Sequence, residues 1–251
     1  MNCKVRTIVT LLVSSLLVIL PLAFAAEEGL VLYMPFDGNT EDASGNGNHG
    51  EIKKGKAKWT DGKFGKAMEF DGATHIEIPD QKNSGFDNVS GFTVEVWVKQ
   101  STHHDNGIVV KLTTAGQFWP CSYNLETWSD QLAYFGVGAD TGQWATSQYP
   151  LNEWFHFTGV FDAGKEHVYV DGKPGGTVSD PSKTVPDGDL PVYVGCVDPN
   201  SHPFKGALDE LAIYSRALSE AEIQEDMNNG IVMPVGSRGK LAVTWATIKF
   251  Q

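Results

Sequence analysis

Oxygen-bearing side chains are concentrated in one short segment near the start of the chain. Residues 37–50 contain Asp37, Asp42 and Asn46 among several glycines and asparagines. Carboxylate, amide and carbonyl oxygens are the ligands that Ca²⁺ prefers, and it takes about six to eight of them. The segment is therefore a candidate calcium site, and the alternative is that Asp37 and Asp42 only cap turns. Its spacing differs from that of an EF-hand loop.

A further candidate metal ligand, Asp209, lies in the segment Ala207–Tyr214. The alternation of a strand places Asp209 on the same face as Leu211 and Ile213. A carboxylate that points towards a core needs a partner, because an unpaired buried charge is too costly. That partner could be a metal ion, an arginine such as Arg216 or a set of backbone N–H groups.

Tryptophans in polar, turn-rich segments form a second kind of candidate site. Three of them lie in predicted loops, and one more lies with a lysine on the polar face of an alternating strand. The candidate ligand-binding residues are Trp97, Lys99, Trp119, Trp128 and Trp144. Aromatic rings stack on the C–H patches of sugars while amide and carboxylate groups bind the hydroxyls, so a glycan is the predicted ligand. The alternative is that each ring is buried and covers the end of a sheet.

The first 25 residues are typical of a secretory signal peptide. Lys4 and Arg6 precede an apolar run at residues 8–20, and Ala23-Phe24-Ala25 forms a cleavage site with small residues at its ends. The run is short for a membrane-spanning helix, and no later stretch reaches that length. We therefore expect a secreted protein, extracellular or at the cell surface, with no membrane span after the signal peptide is removed.

Charge and cysteine content narrow the partners and the chemistry. The formal net charge is −12, and the loss of Lys4 and Arg6 would lower it to −14. Such a surface repels nucleic acid and anionic lipid, and it is compatible with neutral sugars, cationic partners and divalent metal. Cys121 and Cys196 would be the cysteines left, and an oxidising compartment would allow a disulfide between them. The alternative is two separate buried thiols.

The elements that must position these residues are short strands. Alternating segments separated by Gly, Asn, Asp and Pro predict an all-β chain, and its length suits one domain. A single short helix is predicted from about Glu220 to Asn229, because Ser219 and Glu222 have the spacing of a capping box and Gly230 follows. Residues 231–251 are expected to form a linker and a C-terminal tail.

The segment Gly206–Ile223, which reads GALDELAIYSRALSEAEI, resembles the closing signature of the laminin-G-like, concanavalin A-like lectin/glucanase jelly-roll family. Four further stretches match that family in the same order: Leu32–Gly50, Ala67–Pro79, Gly91–Lys99 and Asn152–Gly176. The resemblance covers residues 29–230. It implies a two-sheet antiparallel β-sandwich, a jelly roll, with one short C-terminal helix, and it implies binding at surfaces.

The resemblance also bears on the metal site and on catalysis. It implies that the first strand lies beside the strand of Asp209, so that Asp37 and Asp209 share a structural Ca²⁺ with the oxygen-rich loop. Related glucanases carry E-x-D-x-x-E on one strand, which places catalytic carboxylates across a groove, and this pattern does not occur here. His156 matches a histidine of the family pattern and has no paired nucleophile in the sequence.

The predicted function is that of a secreted, non-catalytic carbohydrate-binding module with a structural calcium ion. The alternative is a module that binds an extracellular protein and acts in adhesion. A glycoside hydrolase fits the residues less well than either.

Overall fold

The computed structural model describes residues 28–81, 84–117, 120–138 and 143–231. Within these ranges the chain forms fifteen strands in two antiparallel sheets and one helix, which confirms the predicted β-sandwich with a short C-terminal helix. The predicted signal peptide, Trp119 and residues 232–251 of the predicted tail lie outside the described residues.

Sheet A contains eight strands, seven of them in one continuous order. That order is β13 (Lys173–Ser179), β12 (Lys165–Val170), β11 (Phe155–Asp162), β6 (Gly91–Lys99), β15 (Lys205–Tyr214), β4 (Lys66–Asp71) and β3 (Trp59–Asp61). The eighth strand, β1 (Leu30–Met34), pairs with β15. The first strand therefore lies beside the strand of Asp209, as the family resemblance implies.

Sheet B contains seven strands and packs against sheet A. Its order is β10 (Ala145–Gln148), β9 (Leu132–Gly138), β8 (Cys121–Thr127), β7 (Asn106–Leu112), β14 (Val192–Val194), β5 (His75–Ile78) and β2 (Glu51–Lys54). The inward side chains of both sheets form the main core, which includes Phe92, Val94, Val96 and Val98 of β6. This is the apolar face that the alternation of β6 predicts.

The helix α1 (Glu220–Asn229) lies on the outer face of sheet A. Ser219 and Glu222 form the predicted capping box at its start. Ile223 of the helix packs in a second apolar cluster with Tyr33 and Tyr214. Among the described residues no helix has both the length and the apolar composition needed to cross a membrane.

A β-bulge in β15 changes the face on which Asp209 lies. Asp209 is paired with Trp97 and Ala212 with Glu95, so β15 carries one residue more than β6 between these pairs. Glu210 has φ +54° at this point. Leu211 therefore packs in the main core, while Asp209 shares the outer face with its neighbour Trp97. The expectation that Asp209 shares a face with Leu211 and Ile213 is wrong, although Asp209 is fully buried.

The predicted disulfide between Cys121 and Cys196 is wrong as well, since both are buried free cysteines. Cys121 pairs with Leu112 at one end of β7. Cys196 follows β14 and contacts Gly107 at the other end of β7. The two thiols thus lie near opposite ends of a strand of seven residues, whereas a disulfide needs Cα atoms about 4.4–6.8 Å apart.

Candidate functional site

Three aromatic side chains lie side by side on the outer face of sheet B, and we call Trp128, Tyr134 and Trp144 the aromatic row. Tyr134 points outward because its neighbours in β9, Ala133 and Phe135, pack in the main core. The ring centroids of Trp128 and Tyr134 are 5.4 Å apart, and those of Tyr134 and Trp144 are 6.0 Å apart. Among the described residues Trp128 is the one large hydrophobic side chain that is exposed, at 38%.

Buried polar groups of β8 hold the aromatic row in place. Glu126 accepts hydrogen bonds from Nε1 of Trp128 at 2.8 Å and from Nδ2 of Asn124 at 2.9 Å. Burial raises the pKa of Glu126, while these two hydrogen bonds oppose the rise. The Tyr134 hydroxyl donates to Asp130. The exposed ring of Trp128 is therefore fixed in orientation by a hydrogen bond from its own indole N–H.

The aromatic row is stepped and not flat. The planes of Trp128 and Tyr134 are inclined by 42°, and those of Tyr134 and Trp144 by 79°. Tyr134 and Trp144 are half-buried. A ligand can therefore stack on the face of Trp128 while it contacts the other two rings at a different angle, beside the carboxylate of Asp130.

The structure divides the predicted ligand-binding residues between the two sheets. Trp128 and Trp144 lie together on sheet B, whereas Trp97 and Lys99 lie on the outer face of sheet A. Trp97 is 4% exposed, because Phe64 and His156 pack against its ring and the Lys63 ammonium lies 4.0 Å from the ring centroid. Lys99 is exposed at the end of β6.

Tyr134 and Glu126 are site residues that the sequence analysis missed. Tyr134 stands between the inward residues Ala133 and Phe135, and Glu126 is paired with it across β8 and β9. Their outward positions follow from the alternation of each strand. Their neighbourhood with Trp128 follows only from the pairing of the strands.

The predicted metal ligands do not assemble as one set. Asp42 accepts backbone N–H bonds from Tyr33, Ser44 and Asn48, and the amide nitrogen of Asn46 donates to the backbone carbonyl of Leu30. These two side chains therefore hold the loop in the manner of turn caps. No group of three or more His, Cys, Asp or Glu in the described ranges has metal-binding geometry.

Asp37 and Asp209 remain as a pair beside the turn at residues 62–65. Oδ2 of Asp209 accepts the backbone N–H groups of Lys63 at 2.8 Å and of Phe64 at 3.0 Å. Oδ1 of Asp209 is buried and lacks a hydrogen-bond partner among the described residues. Oδ1 of Asp37 accepts the backbone N–H of Lys66 at 2.7 Å.

Burial has the largest effect on the pKa of Asp209 and of its neighbour Glu210. It raises the pKa of Asp209 to about 7; the backbone hydrogen bonds oppose the rise, and the charge of Asp37 adds to it. It also raises the pKa of Glu210 to about 8, against a hydrogen bond from the Tyr33 hydroxyl, and Asp209 adds to the rise. Asp209 and Glu210 thus lie close together in a poorly solvated place beside the exposed carboxylate of Asp37, which disfavours the ionisation of both buried groups.

His156 lies in the same poorly solvated layer. Burial and the nearby Lys63 lower its pKa to about 3, so the imidazole is neutral at physiological pH. Its ring centroid is 5.1 Å from that of Trp97. This packing accounts for the histidine as part of the scaffold.

A model of the concanavalin A-like lectin/glucanases superfamily matches residues 70–224 of this chain. The chain belongs to that superfamily. As a member of the superfamily it shares its fold with solved structures at low sequence identity. A search of curated proteins finds no match to the chain.

Among the solved structures, domain 4 of AbnA is similar over almost its whole length. AbnA is a GH43 extracellular arabinanase from Geobacillus stearothermophilus, and its domain 4 was solved in complex with arabinotriose. The domain has a TM-score of 0.60 and 24% identity to this chain, and the match covers 79% of this chain and 98% of that one. The binding domain of Paraclostridial Mosquitocidal Protein 1 has a TM-score of 0.61 and 20% identity, over 80% and 52% of the two chains.

A third similar structure is of botulinum neurotoxin type C, a toxin whose cell entry depends on interaction with two ganglioside molecules. It has a TM-score of 0.61 and 14% identity, and the match covers 81% of this chain and 52% of that one. The present chain matches about half the length of these toxin chains. At such identities the likeness concerns the fold.

Proposed function

We propose that this protein is a non-catalytic carbohydrate-binding module that works outside the cell and holds its ligand on the aromatic row. The observation that carries the proposal is the exposed indole of Trp128, fixed by Glu126 and continued by Tyr134 and Trp144. Large aromatic side chains are costly to leave in water, and an aromatic ring with polar neighbours is suited to the C–H faces and hydroxyl groups of a sugar.

The polar groups around the row fit binding better than catalysis. Hydrolysis of a glycoside needs two carboxyl groups that face one groove and reach the scissile bond. Glu126 is buried and binds the Trp128 and Asn124 side chains, so its oxygens are committed to the scaffold. Asp130 is the carboxylate that remains beside the row, and it fits the binding of a hydroxyl group.

The fold comparisons also support carbohydrate binding, although they do not identify a ligand for this chain. The domain of AbnA was solved with arabinotriose, and the type C neurotoxin structure concerns gangliosides. These ligands belong to those proteins. For the present chain we propose a neutral polysaccharide or oligosaccharide, whose C–H faces meet the rings of the row.

We further propose a structural calcium ion between Asp37 and Asp209. The orphaned, buried Oδ1 of Asp209 supports it, as does the raised pKa of Asp209, which results from burial and from the nearby charge of Asp37. A divalent cation would neutralise both charges and so link the segment after β1, which contains Asp37, to β15, which contains Asp209. Since Asp42 and Asn46 hold the loop, backbone carbonyls and water would have to complete the six to eight oxygens that Ca²⁺ prefers.

A module that binds an extracellular protein is the second candidate. The stepped rings of the row, two of which are half-buried, favour it, because protein interfaces are enriched in aromatic side chains that need not be coplanar. One similar toxin binding domain was solved in complex with rat synaptotagmin II. The two candidates differ in whether sugars alone are bound.

Tryptophan fluorescence and calorimetry with a panel of neutral polysaccharides test the proposal. We expect at least one glycan to quench the fluorescence, and Trp128→Ala to abolish its binding in a protein that still unfolds in one cooperative transition. Trp59→Phe is the matched control, because Trp59 is a half-buried tryptophan of β3 on the opposite sheet. No response to any neutral glycan by the folded protein would reject the sugar site and favour the protein-binding alternative.

A further inference from the structure

The outer face of sheet A carries a cleft that the aromatic row does not touch. A cavity of about 500 Å³ opens where β3, β4, β15 and β6 lie side by side. A second cavity of about 390 Å³ adjoins it, lined by Trp97 and Lys63. Trp154 lines both cavities, and we call the two together the sheet A cleft. Its walls combine an aromatic ring with charged side chains.

The cleft exists because the residues at its centre are small. Gly206 and Ala207 of β15 line its floor, between the longer side chains of the neighbouring strands. A Cβ at Gly206 would point towards the core and meet the ring of Phe204 and the carbonyl oxygen of Lys99, so the outward side chain of the floor is the small one of Ala207. The half-buried indole of Trp154 stands just before β11, next to the end of β6. The arrangement leaves an open floor beside an aromatic wall.

The acidic side chains of the cleft already have partners. Asp61 forms an ion pair with Lys66, and Glu69 forms one with Lys58, each at 2.7 Å. Oδ1 of Asp71 accepts the backbone N–H groups of the turn that follows it, and these hydrogen bonds lower its pKa. The negative charges of the walls are thus balanced locally or used to hold a turn.

Two lysines of the cleft have no such partner. Within the described residues neither Lys99 nor Lys205 forms an ion pair. Lys99 is paired with Ala207 across β6 and β15, so Lys205 is its diagonal neighbour on the same face, at a Cα separation of roughly 7–8 Å. Both side chains are exposed and long enough to converge on one anion.

These two lysines without an ion pair stand out on an acidic protein. The formal net charge of the chain is −12, so an exposed lysine has many possible acidic neighbours. Lys63 adds a third cation at the far side of the cleft, above the ring of Trp97. Two free ammonium groups beside an indole face and an open floor match a ligand that has both an anionic group and a ring with C–H faces.

We propose that the sheet A cleft binds an acidic saccharide, a sugar that bears a carboxylate or a sulfate group. The sugar ring packs against Trp154 over the floor of Gly206 and Ala207, and its anionic group accepts hydrogen bonds from Lys99 and Lys205. Asn152 lines the same wall and is exposed, so its amide is free to bind hydroxyl groups. This site is independent of the aromatic row, and the two together give the module two different glycan specificities.

Calorimetry with oligogalacturonate, which carries one carboxylate per sugar, tests the proposal against neutral galactose oligomers of the same length. We expect the acidic oligomer to bind, the neutral one to bind at least about tenfold more weakly, and the affinity to fall as salt is added. Lys99→Gln and Lys205→Gln should each weaken the acidic ligand about tenfold, because a charge-assisted hydrogen bond is lost. Trp154→Ala should weaken the affinity for the acidic oligomer and make the enthalpy of its binding less favourable.

Two control variants distinguish binding in the sheet A cleft from nonspecific charge attraction and from binding at the aromatic row. Lys173→Gln removes an exposed lysine of β13 that also has no ion pair among the described residues, and it should leave the affinity unchanged. Trp128→Ala should leave it unchanged too, which distinguishes a failure here from a failure of the aromatic row. Equal binding of the neutral oligomer, an unchanged affinity in Lys99→Gln, or equally tight binding of a polyglutamate peptide would each overturn the proposal, as would no binding of oligogalacturonate by the folded protein.

Discussion

The indole ring of Trp144 lies in the space that a side chain at Gly136 would fill. A Cβ built on Gly136 would lie 2.8 Å from Cζ3 and 2.9 Å from Cε3 of Trp144. The backbone of Gly136 does not have a positive φ, so the glycine serves to leave room and not to permit a special conformation. The position of the last ring of the aromatic row therefore depends on the absence of a side chain in β9.

We predict that Gly136→Ala weakens glycan binding at the aromatic row. A methyl group there must push the ring of Trp144 away from its place, and a lost aromatic contact costs about 1 kcal/mol, or roughly fivefold in affinity. Calorimetry with the glycan that binds the wild type gives the measurement. Trp144→Ala is the matched variant, because the double variant should bind no more weakly than Trp144→Ala alone. Additive losses would mean that Gly136 acts by another route.

The calcium proposal predicts a cation-dependent melting temperature. Excess Ca²⁺ should raise it relative to a chelator, by mass action, with about 2.7 kcal/mol gained at a concentration of 100 times the dissociation constant. Asp209→Asn and Asp37→Asn should abolish the difference. Asp42→Asn should lower the melting temperature in both conditions and keep the difference, because Asp42 serves backbone N–H groups. Identical melting of the wild type with and without Ca²⁺ would rule out the ion.

Strand alternation and the capping box are local patterns, and they predicted the architecture well. The alternation of β6 places Val94 and Val96 in the core, and Ser219 caps the helix through Glu222. Both depend only on residues a few positions apart. A β-bulge is also local, yet nothing in the sequence of β15 marks Glu210 as the extra residue, so the alternation assigned Asp209 to the wrong face.

Which residues meet at each candidate site depends on which strands pair in the fold, and the sequence alone does not predict that pairing. In the sequence Trp97 lies on the polar face of an alternating strand and Trp128 lies in a polar, turn-rich segment, and the two residues belong to different sheets. Trp97 is buried by Phe64 and His156, whereas Trp128 is exposed beside Tyr134. Which strands become neighbours decides these contacts, and the order of strands in a sheet is a property of the whole fold.

The free cysteines predict a stability that does not depend on reductant. Burial raises the pKa of both thiols, for Cys196 to about 12, so little thiolate forms at neutral pH and reaction with a thiol reagent is slow. We expect Cys121 and Cys196 to react with such a reagent only after denaturation, and dithiothreitol to leave the melting temperature unchanged. A lower melting temperature in dithiothreitol would indicate a disulfide after all.

Glu166 predicts a specific pH dependence of stability. It is a buried residue of β12 whose Oε1 accepts the backbone N–H of Val137 in β9 at 3.0 Å, so it links the two sheets. Burial raises its pKa to about 8; the bond from Val137 opposes the rise and the charge of Asp180 adds to it. In the unfolded chain the pKa is near 4.5. The folded state therefore retains a proton that the unfolded state has lost, at any pH between these values.

The stability that this proton provides is full below pH 4.5 and is lost as the pH rises through about 8. We predict that Glu166→Gln, which has no proton to lose, gains about 1.4 kcal/mol relative to the wild type between pH 7 and pH 9. Urea denaturation at several pH values measures this difference.

The interval from pH 7 to pH 9 lies above the range in which an unfolded histidine takes up a proton, so the low pKa of His156 does not contribute. Exposed Glu153, changed to Gln, is the control, and its curve should run parallel to that of the wild type. If the Glu166→Gln curve were parallel as well, the carboxyl group would already be ionised in the folded protein, and the buried contact with Val137 would have to carry a full charge.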